Sequence, residues 1–229
     1  MDILKKIRRN YRDFGSWVTL VKIVGVCVKP VVEIRTFIIY LLDFQHYTIK
    51  EIDNSSFIFI QINRNDTNIL GQIGQMEEWL IGDIENKISH GALCIAALDA
   101  GKVAGFNLVD FNETHLPLIH FRWKLGARES FSVQISVHKN YRGRGLATLL
   151  RFAVFNELKK RGYAKLYGAT QLSNIANLAL SKKVGFKFII KVTYYRLLFF
   201  KGITCLDNLD TRYGKMYYME ITDDKMKTK

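Results

Sequence analysis

Cysteine is scarce in this chain, with 3 residues in a length of 229. Cys27, Cys94 and Cys205 stand far apart, and no C-x-x-C pair or Cys/His ligand spacing is present. This spacing argues against a zinc site, and no metal is expected. Cys27 and Cys94 lie in apolar runs, which is typical of buried thiols. A reducing, cytoplasmic location fits this cysteine usage best.

Acidic residues are also few. The 21 Asp and Glu residues stand against 34 Lys and Arg, for a formal net charge of +13. Such a charge concerns partners rather than fold, and it suits an anionic membrane surface, an acidic substrate or nucleic acid. The longest unbroken basic run is short, Lys159-Lys160-Arg161, and no nucleic-acid-binding motif is present, so no nucleic acid partner is expected. The sequence leaves the oligomeric state open.

A long uninterrupted apolar run is absent. Residues 17–40 are rich in Val and Ile, but four charged residues interrupt them and Pro30 divides them, which excludes a membrane-spanning helix. No small-residue cleavage site follows, so a signal peptide is excluded as well. Two interpretations stay open. One is a basic, apolar element with peripheral contact to an anionic membrane, and the favoured one is a helical hairpin or strand packed on the main domain.

The domain organisation follows from composition. Hydrophobic residues make up 48% of the chain, which is ample for a core. The polar stretch at residues 48–56 marks a boundary. We therefore predict a basic and apolar N-terminal extension at residues 1–50, a main domain at residues 51–200, and a C-terminal segment at residues 201–229 with a disordered tail.

Periodicity predicts the elements of the main domain. The predicted strands span residues 57–62, 92–98, 102–111, 133–137 and 164–170, with two more within 186–200. The predicted helices span residues 72–90, 146–161 and 174–184. Residues 112–126 are predicted to be an irregular insertion. The strand at 164–170 would run parallel to the one at 133–137, because a helix crosses over between them.

Two common phosphate loops are missing, since the chain contains neither G-x-x-x-x-G-K-[ST] nor G-x-G-x-x-G. A different glycine-rich loop, from Tyr141 to Gly145, stands between the central strand and its helix. Backbone N–H groups at a helix start point outward unpaired, and glycine lets the backbone approach a phosphate closely. Arg142 and Arg144 add charge and forked donors. The loop is therefore a candidate anion site.

The residues Arg142-x-x-Gly145-x-Ala147 match the [R/Q]-x-x-G-x-[G/A] loop of the GNAT N-acetyltransferases. Downstream, Asn174 opens a helical segment that is closed by Gly185-Phe186, which resembles the second motif of that family. The resemblance covers about residues 57–198. It implies a mixed α/β (α+β) fold in which a central, mostly antiparallel sheet is flanked by helices, here with an N-terminal extension.

The resemblance also implies acetyl-CoA as co-substrate. In this family the pantetheine lies along the fourth strand of the domain, in a V-shaped opening of the sheet, and the pyrophosphate lies on the glycine-rich loop. The matching coenzyme-binding positions are Ile135, Ser136, Val137, Arg142, Gly143, Arg144, Gly145, Leu146, Ala147, Thr148 and Asn174.

Acetyl transfer needs a neutral amine, an N–H donor to the oxyanion and a leaving thiolate. We predict Glu129 as the base, because it stands at the start of the central strand, thirteen residues before Arg142, where one branch of the family places its base. Glu113, His115 and His120 are weaker candidates. Many members carry a Tyr acid at the eighth position of the second motif, and this chain has Ser181 there. The hydroxyl of Tyr167, Tyr194 or Tyr195 could substitute for it.

The resulting hypothesis is an acyl-CoA-dependent N-acyltransferase that moves acetyl from acetyl-CoA to a primary amine by direct attack in a ternary complex. Two alternatives stay open. One is a long-chain N-acyltransferase on the same fold, and the other is a non-catalytic coenzyme-binding or membrane-surface adaptor. The insertion at residues 112–126 is expected to lie over the acceptor site, but the sequence does not identify the amine acceptor.

Overall fold

A computed structural model describes residues 32–52, 56–76, 81–116, 121–197 and 200–208. No helix in these ranges is long and apolar enough to cross a bilayer. The elements, in chain order, are β1 (Val32–Asp43), β2 (Ile58–Ile62), α1 (Thr67–Met76), α2 (Ile81–Ser89), β3 (Leu93–Asp99), β4 (Lys102–Asp110), β5 (Glu113–Leu116), β6 (Phe121–Lys124), β7 (Glu129–Val137), α3 (Leu146–Lys160), β8 (Lys165–Gln171), α4 (Ile175–Lys183), β9 (Lys187–Leu197) and β10 (Phe200–Asn208).

One eight-stranded sheet organises the molecule, in the order β10-β9-β1-β8-β7-β4-β3-β2. Adjacent strands of this sheet are antiparallel except for β7 and β8, which run parallel. Helix α3 links that parallel pair, since parallel neighbours need a crossover connection. The predicted fold class, a mostly antiparallel sheet flanked by helices, is confirmed.

Helices cover the two faces of the sheet. On the first face, called the α1–α2 face below, Leu70 and Ile73 of α1 pack with Phe106 and Leu108 of β4. On the second, called the α3–α4 face, Val154 and Leu158 of α3 pack with the strands beneath. Both layers are apolar, so each face of the sheet has its own core.

Strand β1 lies inside the sheet, between β8 and β9. Its side chains are apolar on both sides, because Phe37, Ile39 and Leu41 pack on the α1–α2 face and Tyr40 and Leu42 on the α3–α4 face. A strand with two apolar faces is stable only when both are covered. The division at residue 50 assigned this strand to an extension, whereas its hydrogen bonds join it to the main sheet. Residues 1–31 lie outside the described ranges.

Three other segments differ from the sequence prediction. In the segment predicted as one helix across 72–90, the described residues form α1, which begins at Thr67, and α2, whose described part begins at Ile81, each with its own apolar pair on the sheet. Residues 112–126 contain the hairpin β5–β6, in which Glu113 and Lys124 stand opposite each other, a favourable cross-strand pair. Residues 187–197 form one strand, in which a bulge at Ile189 shifts the alternation of side chains, so that Ile189 packs in the same cluster as Val192 and Tyr194.

The C-terminal part of the prediction is also changed by the structure. Strand β10 continues to Asn208 and pairs with β9 at the edge of the sheet. Residues 209–229, where a disordered tail is predicted, lie outside the described ranges.

Candidate active site

Strands β7 and β8 are paired over only part of their length. Their register runs from Glu129 beside Lys165 to Ser132 beside Gly168. Beyond that point β7 stays paired with β4 as far as Val137, and β8 stays paired with β1. The two parallel strands therefore part after Ser132 and Gly168. The space between their diverging ends is called the cleft below.

A β-bulge stands where the cleft begins. Leu108 pairs with Gln134 and Val109 pairs with Ser132, so Val133 is an extra residue on β7. A bulge bends its strand and increases the local twist. It also shifts the alternation of side chains, so that Ser132 before it and Ile135 after it both lie on the α3–α4 face.

The glycine-rich loop lies at the far end of β7. Gly143 and Gly145 have φ angles of 79° and 76°, and Gly145 is the N-cap of α3. A positive φ suits glycine, because other residues meet a steric penalty there. Within the described ranges, no backbone carbonyl accepts from the amides of residues 143–147. These N–H groups and the positive end of the α3 dipole make an anion site.

Not every residue predicted for this loop offers its amide. The Thr148 amide donates to the Gly145 carbonyl at 2.9 Å as the first turn of α3 closes. Leu146 is buried and packs with Ile135 and Val137, so it anchors the helix start to β7. The structure therefore joins the predicted strand and loop positions in one contiguous group.

Arg142 contacts the end of β7 directly. Its Nε donates to the Val137 carbonyl oxygen at 3.1 Å, which leaves the Nη donors for other partners. Arg144 instead lies over the ring of Tyr141, 5.7 Å from the ring centroid, and Tyr141 packs edge-on against Phe57. These contacts hold the loop on the body of the protein.

Asn174 caps α4, as predicted. Its side chain accepts from the amide of Asn177 at 3.1 Å. Asn177 in turn donates from Nδ2 to the Thr170 hydroxyl at 2.9 Å, which ties the start of α4 to the β8 side of the cleft. The predicted contact of Asn174 with the coenzyme stays a prediction.

Ser181 lies one helical turn beyond Asn177 on the same face of α4. It is 0% exposed, and its hydroxyl has no hydrogen-bond partner among the described residues. Asn177 Oδ1 and Asn107 Nδ2 are likewise buried without a partner. Buried polar atoms are normally paired. A coenzyme arm that carries amide groups offers both donors and acceptors, so these unpaired polar groups fit coenzyme A.

Arg151 is a site residue that sequence analysis missed. It is 1% exposed and lies on α3, in the stripe that also holds Val154 and Leu158. Its Nη1 donates to the Ser132 hydroxyl, while its Nε has no partner among the described residues. Burial lowers the pKa of the Arg151 guanidinium, and its hydrogen bond with Tyr40 opposes that shift. The available signal was a charged residue inside an apolar helical stripe.

Glu129 lies at the closed end of the paired region, three residues before the cleft begins. Its carboxylate accepts from the Gly126 amide at 3.0 Å and from the Tyr167 hydroxyl at 3.1 Å, and Lys165 Nζ lies 3.5 Å away. Tyr167 packs against Trp123 of β6 on the α1–α2 face. Glu129 is therefore near the hairpin segment that was predicted to cover the acceptor site.

The other catalytic candidates are dispersed. Tyr194 and Tyr195 lie on β9, which β1 and β8 separate from the cleft. Glu113 and His115 lie on β5, and His120 is outside the described ranges. Across those ranges, no group of three or more His, Cys, Asp or Glu residues is placed to hold a metal ion.

Comparison with known proteins identifies the family. The family model described as the acetyltransferase (GNAT) family matches residues 38–186, which is more than half of the chain. The chain therefore belongs to the GNAT acetyltransferase family, which uses acetyl-CoA as co-substrate. The matched region includes the second half of β1. No curated protein sequence matches the chain.

Solved structures share the fold. A Drosophila protein is 15% identical with a TM-score of 0.51, and the match covers 81% of this chain and 58% of that protein. A tandem GNAT protein from the clavulanic acid biosynthesis pathway is 13% identical with a TM-score of 0.53, over 78% of this chain and 58% of its own. An N-acetyltransferase from Sphaerobacter thermophilus is 13% identical with a TM-score of 0.53, and the match covers 81% of this chain and 57% of that protein. The chain thus spans under two thirds of each.

Proposed function

We propose that this GNAT-family chain is an acyl-CoA-dependent N-acyltransferase that moves acetyl from acetyl-CoA to a primary amine. The observation that carries the proposal is the continuity of two features along β7. The strand leaves its pairing with β8 at Ser132, and the unpaired amides of residues 143–147 follow its far end. One elongated ligand with a phosphate group at one end suits that arrangement.

The coenzyme would be held mostly by backbone groups. The amides of residues 143–147 and the Arg142 guanidinium would bind the pyrophosphate, because both are donors placed at the start of α3. The pantetheine arm would then follow Ile135, Ser136 and Val137 on the cleft side of β7. The buried, unpartnered polar atoms of Asn107, Asn177 and Ser181 support this placement.

The transfer would be a direct attack in a ternary complex. The amine nitrogen forms a bond with the thioester carbonyl carbon, the carbon–sulfur bond breaks, and the sulfur leaves as a thiolate. A backbone N–H on the cleft side of β7 would donate to the oxyanion. Glu129, directly or through water, would take the amine proton. Because this carboxylate and Trp123 lie toward the α1–α2 face, we infer that the acceptor approaches from that face.

A second candidate function rests on Ser181. The family often uses a Tyr acid at this position, whereas here a serine hydroxyl is fully buried. A serine hydroxyl is a poor proton donor to a leaving group, so the chain could bind the coenzyme without catalysing transfer. Both candidate functions predict coenzyme binding, but only the first predicts turnover of acetyl-CoA.

The test is an assay of coenzyme A release from acetyl-CoA in the presence of single amines. Polyamine, amino sugar, amino acid and lysine-peptide acceptors should be compared with a blank that lacks the amine. We expect thiol release that depends on one class of amine and that acetyl-CoA supports better than palmitoyl-CoA. Faster release from palmitoyl-CoA would favour the long-chain activity instead. Tight coenzyme binding with no release from any donor would favour the second candidate.

A further inference from the structure

A buried cation without an anion lies at the start of the cleft. The guanidinium of Arg151 reaches from α3 to the hydroxyl of Ser132 on β7 and interacts with Tyr40 on β1. In the part of the chain that the structure describes, no carboxylate forms an ion pair with it. Burying a charge without an opposite charge is costly. A purely structural role would be served better by an apolar residue in this stripe.

The position of the guanidinium is specific. Tyr40 and Ser132 belong to the strands on either side of β8, so a group that touches both stands over Gly168. Ser132 and Gly168 are the last pair before the strands separate. The positive charge therefore lies where the cleft begins. The Ser132 hydroxyl, which accepts from Arg151, donates in turn to Asn107 Oδ1 at 3.3 Å.

The described groups around Arg151 include no carboxylate. They are Tyr40 from β1, Ser132 from β7, Asn107 from β4, and the ring of Phe186, which lies 5.5 Å from the guanidinium carbon. On α3 itself, Glu157 is engaged with Arg161 at 2.7 Å. Among the residues that the structure describes, no carboxylate pairs with this cation to cancel its field in the cleft.

The proposed reaction produces an anion close to this charge. When the carbon–sulfur bond breaks, the electron pair stays on sulfur, and either a proton or a positive field must stabilise it. Ser181 is a weak source of a proton. We propose that Arg151 is a positioning residue that stabilises the coenzyme A thiolate through its charge, acting across the hydroxyl of Ser132. The inference rests on the proposed function, because it needs the coenzyme sulfur in the cleft.

The step balances without a proton donor. The amine nitrogen and the acetyl carbon form the amide bond, the sulfur departs with its electron pair, and the amine proton goes to the base. Arg151 keeps its proton throughout, since arginine stays charged in proteins. Its contribution is electrostatic, and it is present before reaction begins.

The test is the ionisation of coenzyme A bound to the full chain. The thiolate absorbance of the complex is titrated with pH, and the titration of the complex with desulfo-coenzyme A, which has no thiol, is subtracted. We expect the pKa of the bound thiol to lie at least about one unit below that of free coenzyme A, which is the order expected for a charge in a medium of intermediate polarity. Arg151→Met should return it to the free value, and Arg151→Lys should keep most of the shift.

A matched control removes an exposed arginine that lies outside the cleft. Arg128 is exposed and donates to the Gly162 carbonyl, so Arg128→Met should leave the thiol pKa unchanged. If Arg151→Met fails to fold, the wild-type shift and the lysine variant still decide the question. Binding of coenzyme A with an unshifted thiol pKa would overturn this inference and leave the proposed function standing. No binding of coenzyme A at all would overturn both.

Discussion

Tyr40 and Gly168 are direct partners across β1 and β8, and the tyrosine ring occupies the space of a side chain at position 168. A Cβ on Gly168 would lie 2.8 Å from Cζ and 2.9 Å from the hydroxyl of Tyr40. The ring also packs edge-on against Phe186, with centroids 4.7 Å apart. A strand from the N-terminal part of the chain thereby supports one wall of the cleft and the Arg151 guanidinium.

Gly168→Ala should destabilise the protein, because the new methyl group forces the Tyr40 ring out of its packing. Overpacking of this kind costs about 1–3 kcal/mol in the free energy of unfolding, measured by urea denaturation. The matched control is Gly71→Ala, where a Cβ in α1 meets nothing within 4 Å. That control should be neutral or slightly stabilising, since alanine favours a helix. Equal effects at both positions would contradict the account.

Arg142→Ala should weaken acetyl-CoA binding by about tenfold or more, because charge-assisted hydrogen bonds to phosphate are lost. The residue is exposed, so the free energy of unfolding without ligand should hardly change. Calorimetric titration measures the affinity, with Arg128→Ala as the control for loss of one positive charge. Unchanged affinity in the Arg142 variant would remove it from the phosphate site.

Glu129→Gln should slow acetyl transfer by about a hundredfold, the usual range for loss of a general base. The loss should be largest at low pH, where the amine is protonated and most needs a base. Coenzyme affinity should stay the same, since Glu129 lies at the closed end of the β7–β8 pair. The pH–rate profile of the variant is the measurement, and a profile identical to that of wild type would exclude Glu129 as the base.

Cys94 should resist alkylation in the folded protein. Its side chain is fully buried, and burial raises the pKa of its thiol to about 12. Only the thiolate reacts, so at pH 8 the folded chain should show no modified Cys94 peptide by mass spectrometry, and urea should expose it. The pKa of this thiol is higher in the folded than in the unfolded protein. The thiol therefore lowers the free energy of unfolding only as the pH rises from the unfolded pKa toward the folded one, about 12. Rapid modification at pH 8 without urea would contradict this packing.

The elements around the coenzyme loop could be predicted from the sequence because local signals agree there. Gly145 precedes an apolar helical pattern, Asn174 is a good N-cap, and Gly185 follows the end of α4 with a positive φ. Each of these residues begins or ends a helix through contacts with residues close to it in the sequence. The hairpin of β3 and β4 was predictable for the same reason, since Asp99 and Gly101 mark its turn.

The place of β1 in the sheet could not be predicted in this way. Its pairing with β8 joins residues such as Tyr40 and Gly168, which are distant in sequence and which no local pattern relates. The cleft depends on the same kind of information, because the bulge at Val133 is visible only in the register with β4. Arg151 was missed because helical periodicity indicates a face but not the partner that the face meets.

The central claim is that the glycine-rich loop and the cleft bind an acyl-coenzyme A. Its most direct test is thermal unfolding with and without acetyl-CoA for wild type and two variants. Gly145→Trp blocks the loop. Gly162→Trp is the matched control, since Gly162 has a φ of 78° and open space around it but follows the other end of α3.

The account predicts a midpoint shift of a few degrees in wild type, because a ligand at about a hundred times its dissociation constant adds roughly 2.7 kcal/mol. The Gly162 variant should keep that shift and the Gly145 variant should lose it, whatever their midpoints without ligand. No shift in wild type with acetyl-CoA, longer acyl-CoA or free coenzyme A would contradict the account.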